Sequence, residues 1–120
     1  MDENAIKEYL DADKALERIR GNAKLFKLLL STFLKDTPAQ FAQLKGEIEA
    51  NDRVAASKLV HTVKGVAANL SMMKLYELSP ALEALLKTDS DTAESFANYN
   101  SVYEKTVEAV NAYLANLEKP

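Results

Sequence analysis

Apolar residues return every three or four positions along nearly the whole of this 120-residue chain, and only three glycines and three prolines interrupt them. At 3.6 residues per turn that spacing gathers apolar side chains on one side of a helix. Turn-rich all-β folds need more breakers than this. The chain therefore reads as all-α. Hydrophobic residues make up 48% of it, enough for a core, and its length fits one domain over residues 1–120.

The few breakers divide the chain. Short helical segments are expected over residues 5–9 and from Lys14 to Ile19, the second ending before Gly21-Asn22. Leu25, Phe26, Leu29 and Phe33, widened by Leu28, Leu30 and Leu34, predict a helix buried on more than one side and stopping near Asp36. Thr37-Pro38 reads as an N-cap and first-turn proline that opens a new helix through Phe41, Leu44 and Ile48. Asn51-Asp52 closes that helix and caps the next, from Arg53 to about Leu70. Ser71 is the expected cap of a segment from Met72 to Lys87, with a kink or restart at Ser79-Pro80. After a turn over residues 88–91, the stripe Phe96, Tyr99, Tyr103, Val107, Val110, Leu114, Leu117 predicts a long last helix. Short connections make neighbours antiparallel. The expected architecture is an antiparallel up-and-down four-helix bundle with extra short helical segments at its N-terminus.

Composition removes several kinds of chemistry. Without cysteine there is no disulfide and no thiolate nucleophile, and a single histidine rules out a His/His zinc pair, so no metal site is expected. A net charge of −3 and a pI near 5.2 argue against binding to nucleic acid or anionic membranes through bulk charge. The acidic start Met1-Asp2-Glu3-Asn4 is unlike a signal peptide, and no apolar run approaches the ~20 residues of a membrane span. A cytoplasmic protein is expected.

The histidine helix is the specific part. On its wheel Ala56, Leu59, Val60, Val63, Val66, Ala67 and Leu70 gather on one side, and His61 falls roughly 160° from the centre of that stripe. The ring therefore projects into solvent. Gly65 sits one turn further on the same face, and Ala68 almost directly behind the imidazole. Glycine inside a helix costs about 0.5–1 kcal/mol relative to alanine, a cost that makes sense where another molecule's backbone must come close. Gly46, inside another helix with no histidine nearby, shows that the chain admits such glycines elsewhere. Lys64 flanks His61 on the exposed half. From Arg53 to Tyr76 there is no acidic residue, while Arg53, Lys58, Lys64 and Lys74 fall in that window. The residues Asp52 to Leu70 carry three basic and one acidic group, +2, in a chain of −3. A basic face around one exposed imidazole suits a phosphoryl group.

The string His61-Thr62-Val63-Lys64-Gly65-Val66-Ala67-Ala68-Asn69-Leu70-Ser71 resembles the signature of histidine-containing phosphotransfer (HPt) domains, roughly His-x-Leu-Lys-Gly-x-Ala-x-x-Leu-Gly. Asp13, Ala15-Leu16, Arg18, Gly21 and the Leu25–Phe33 block are similar to that family's N-terminal pattern, and Leu75 with Leu82-Glu83 to its next helix. The likeness spans about Leu10 to Leu86. Val63 stands where leucine is usual and Ser71 where glycine is common.

What the resemblance implies is a phosphoryl carrier rather than a stand-alone enzyme. His61 would accept a phosphoryl group from a receiver-domain aspartate and pass it to another. Lys64 would offset its charge, and Glu83 would accept the other ring N–H, subject to any displacement caused by Pro80. Lys58, Gly65 and Ala68 would meet the partner. The implied partners are response-regulator receiver domains and a hybrid sensor kinase. Mg²⁺ would come with the receiver, and the chain itself would need no cofactor and act as a monomer. A dimerising kinase helix pair fits poorly, because Thr62-Val63 rather than an acidic residue follows the histidine. A small-molecule enzyme would need a sheltered pocket of titratable groups. The rival of another class is a helical adaptor whose surface histidine is chemically idle.

Overall fold

A computed structural model describes residues 1–119. Six helices follow in order: α1 (Glu3–Tyr9), α2 (Ala12–Arg18), α3 (Ala23–Glu49), α4 (Arg53–Asn69), α5 (Met73–Leu86) and α6 (Ala93–Leu117). Helices α3 to α6 form the antiparallel up-and-down bundle, each packing on the next and α6 closing back on α3, while α1 lies against α6 and α5 and α2 against α3. The molecule measures 51 × 25 × 21 Å, as the ~1.5 Å rise of its long helices requires. Among the described residues no helix is long and apolar enough to cross a membrane.

Acidic and amide side chains start the helices. Asp2, Asp11, Asn22 and Asp52 each accept the backbone N–H three residues on, satisfying a donor that the helix leaves free. Asp52 thus caps the histidine helix, as its position in the sequence predicts. Ser71 does not cap α5. It sits at φ +56°, fully buried, just beyond the end of α4. The Met72 N–H reaches the Ala67 carbonyl at 2.9 Å and the Ser71 N–H the Ala68 carbonyl at 3.3 Å, the paired bonds that close a helix through a left-handed residue. Ser71 therefore occupies the left-handed position that glycine fills at lower cost.

Two further expectations are corrected. Thr37-Pro38 does not open a new helix, and Ser79-Pro80 does not restart one; α3 and α5 run through both prolines. Both proline rings are exposed, so the missing N–H lies on the solvent side, where helix bonds are longest and the carbonyl can meet water. On the inner side the preceding hydroxyl holds the chain. Thr37 Oγ1 donates to the Phe33 carbonyl at 2.6 Å and lies 2.9 Å from the Tyr103 phenol. Ser79 Oγ donates to the Leu75 carbonyl at 2.9 Å and lies 3.1 Å from the Tyr99 phenol.

The core follows the aromatic residues. Phe26, Phe33 and Phe41 of α3 meet Tyr113, Tyr103 and Tyr99 of α6 in reverse order, and Phe41 stacks on Tyr103 with ring centres 3.8 Å apart. The stripe on α3 is narrower than the sequence implies. Leu30 is buried, but Leu28 is 62% exposed and Leu25 and Leu29 37% each. Leu117, at the end of α6, is likewise exposed.

Burial pushes the Tyr99 phenol up to about 12, from an ordinary 10.0; the Ser79 hydrogen bond opposes the rise and the charge of Glu83 adds to it. Tyr103 and Tyr113 are raised by burial too. A phenol harder to ionise when folded stabilises the fold fully below the unfolded value and loses that contribution as pH climbs to the folded one. Denaturant unfolding at stepped pH should show the Tyr99 contribution intact up to about pH 10 and then a loss of roughly 2–3 kcal/mol from Tyr99 alone by about pH 12. Native tyrosines that all ionise together near 10 would contradict this.

Candidate functional site

Ala56, Val60, Val63 and Ala67 bury one side of α4 against the bundle, with Leu59 and Val66 partly covered. That fixes the rotation of the helix, and His61 emerges on the opposite side with 75% of its side chain exposed. Val54, Lys58 and Gly65 lie along the same open face, with Ala68 half-buried at its end. A Cβ placed on Gly65 would meet nothing within 4 Å, and the same holds at Gly46. Nothing inside the fold therefore requires either glycine, and only Gly65 stands beside the imidazole.

Glu83 is the buried partner of this exposed ring. It belongs to α5 and is only 8% exposed. Because α5 passes through Pro80 unbroken, Glu83 keeps its helical phase and faces α4. Its Oε2 lies 3.8 Å from His61 Nδ1, while its buried Oε1 has no hydrogen-bond partner among the described protein groups. At that separation the contact is an ion pair only when the ring is protonated, and a hydrogen bond needs the two groups to approach by about 1 Å. A buried carboxylate with an unused oxygen is costly, so an approaching N–H gains strongly from meeting it.

Lys64 is half-buried, with its Nζ 5.8 Å above the centre of the Tyr76 ring on α5. The open cleft beside His61 is instead lined by Ser57, Lys58, Thr62, Glu83 and Lys87. Sequence reasoning passed over Lys87, although its place four residues after Glu83 puts both on one face of α5.

On the Asn69 side of α4, a second depression opens between α3 and α4. Ile19, Leu29, Phe33, Val66 and Leu70 make its apolar lining. At the same end, Arg18 donates to the Ala68 carbonyl, to the Asn69 carbonyl at 3.2 Å and to Ser71 Oγ at 2.8 Å, and the Asp11 N–H to the Ser71 carbonyl at 3.0 Å. Helix α2 thus ties down the C-terminal end of the histidine helix and forms one edge of the groove.

A family model describing the Hpt domain matches residues 28–119. No curated protein and no solved structure matches the chain.

Proposed function

Because the chain belongs to the Hpt domain family, whose members serve histidine phosphotransfer in phosphorelays, we propose that His61 is its phospho-acceptor and relays a phosphoryl group between receiver-domain aspartates. The observation that carries this reading is an imidazole 75% exposed on a rigid helix with a buried carboxylate behind its Nδ1. Neutral imidazole is a competent nucleophile near pH 7. With the proton on Nδ1, the Nε2 lone pair attacks phosphorus; the Nε2–P bond forms as the acyl-phosphate P–O bond breaks, and the aspartate leaves as carboxylate. The ring becomes cationic, and Glu83 stabilises it through the Nδ1–H. A second receiver aspartate reverses these steps. Lys64 supplies positive charge at the flank once it leaves Tyr76, a contact worth only about 0.5–1 kcal/mol at an exposed site.

The chain is in this reading a carrier, monomeric and cytoplasmic. Its donor is a receiver domain, that of a hybrid sensor kinase included, and its acceptor is a response regulator. The divalent cation comes with the receiver. Lys58, Gly65 and Ala68 meet the partner, and the adjoining apolar groove with exposed Leu25, Leu28 and Leu29 extends the surface it covers.

Mixing the protein with a phosphorylated receiver tests the reading: an acid-labile label moves to the chain and on to a second receiver. Binding without label would instead establish the adaptor. Gly65→Leu should leave the fold intact, and stabilise α4 by roughly 0.5–1 kcal/mol, while weakening receiver binding at least about tenfold through steric overlap. Calorimetric affinity equal to that of the unaltered protein would remove the clearance role of Gly65.

A further inference from the structure

Lys87 has no part in the reading above, yet the backbone on both sides of it is tied down by hydrogen bonds. It ends α5, its N–H donating to the Glu83 carbonyl at 3.1 Å. Arg53, the first residue of α4, grips the chain on both sides of it. The guanidinium donates to the carbonyls of Leu85 at 3.0 Å, Thr88 at 2.8 Å and Ser90 at 2.9 Å, and through Nε to Asn51 Oδ1 at 2.9 Å. The turn that bears Lys87 is thereby fastened to the start of the histidine helix.

The ammonium groups of this cleft are uncompensated. Among the described residues, ion-pair distances occur only between His61 and Glu83 and between Lys74 and Glu8. Lys58, one turn before His61 on α4, and Lys87, which caps the end of α5, both line the cleft with His61. Lys64 turns away to Tyr76. The carboxylates nearby are Glu83, at the Nδ1 side of the ring, and Asp89, in the continuation of the cleft past Arg53.

We propose that the α4–α5 cleft is an anion seat in which Lys87 and Lys58 hold the phosphoryl group carried by His61, with Arg53 as the positioning residue that fixes the turn presenting Lys87. This rests on His61 being the phospho-acceptor. A phosphoryl group on Nε2 bears close to two negative charges. The two lysines draw its oxygens along the cleft, away from the Glu83 carboxylate, so ring and phosphoryl group each meet the opposite charge. The seat favours the phosphorylated chain over the phosphorylated receiver.

The test loads the 120-residue chain from a phosphorylated receiver and, separately, from phosphoramidate, and follows the phosphohistidine by ³¹P NMR. Lys87→Ala and Lys58→Ala should each lower the loaded fraction at equilibrium with the receiver by about twofold to fivefold. Each should also raise the phosphoryl titration midpoint by roughly a few tenths of a pH unit. Both effects should shrink at high salt, and Lys87→Arg should restore the midpoint. Arg53→Gln should move it part of the way. Variants that keep the fold by circular dichroism and titrate like the unaltered protein overturn the anion seat. If the unaltered protein takes no label on His61 from either donor, the phospho-acceptor reading falls and the seat with it. Label on His61 that is indifferent to Lys87 sinks the seat alone.

Discussion

His61→Gln should take no acid-labile label from a phosphorylated receiver, while unfolding at the same temperature as the unaltered protein. No other imidazole exists in the chain to substitute for it, and a carboxamide has no nucleophilic lone pair on nitrogen. The side chain is 75% exposed and lies 3.8 Å from the Glu83 carboxylate, so stability should change by no more than about 0.5 kcal/mol. Glutamine keeps a donor that can reach the Glu83 carboxylate, which limits even that change. The comparison needs both measurements, label transfer and thermal unfolding, on the same preparation. Label persisting on the variant would place the phosphoryl group on another residue. Label lost together with the fold would show that the ring is structural, against its exposure.

Val63→Asp should do the reverse, disabling the domain by unfolding it. Val63 lies two residues from His61 but on the opposite side of α4, 1% exposed in the core. A carboxylate there has no partner and must either stay ionised in an apolar site or take up a proton. A cost of roughly 3–5 kcal/mol is expected, against about 5–15 kcal/mol for a whole domain. The melting temperature should fall by about 10–20 °C. Lowering the pH should recover part of the loss, because protonation removes the buried charge. Thr62→Asp, exposed on the neighbouring position, is the control and should melt almost normally. If the two aspartates cost the same, the rotation of α4 described above is wrong, and with it the placement of His61.

That rotation was legible without coordinates, because Ala56, Val60, Val63 and Ala67 repeat on one side and only one phase of the helix buries them all. Asp52 as a cap and Asn51 as a helix end were legible for a similar reason: both act within a few residues of themselves. Thr37-Pro38 misled because the same two residues can start a helix or ride inside one. What decides is the phenol of Tyr103, 66 positions away. Ser71 misled in the same way, since serine is a common cap and rarely left-handed. The breadth of the α3 stripe was overread: Leu25, Leu28 and Leu29 are apolar by composition but face outward. Glu83 could be located from a pattern, but its burial comes from α4 lying across α5, and the approach of Lys87 comes from the Arg53 clamp. Neither is a local property.

The two tyrosine–hydroxyl bonds also set how far the helices can creep along one another. Smooth apolar ridges allow a helix to ratchet by one turn, ~5.4 Å, with much of its contact re-formed. Here α6 carries Tyr99 and Tyr103 one turn apart, reading Ser79 on α5 and Thr37 on α3 like the marks of a vernier. Ratcheting α6 one way would set Val107 against Thr37; the other way would carry the Tyr103 phenol past Thr37 and bring only the shorter Ser95 side chain to Ser79. In either register one buried hydroxyl loses its mate. Since Ser79 lies a single turn from Glu83, the same graduation pegs the height of that carboxylate beneath the imidazole.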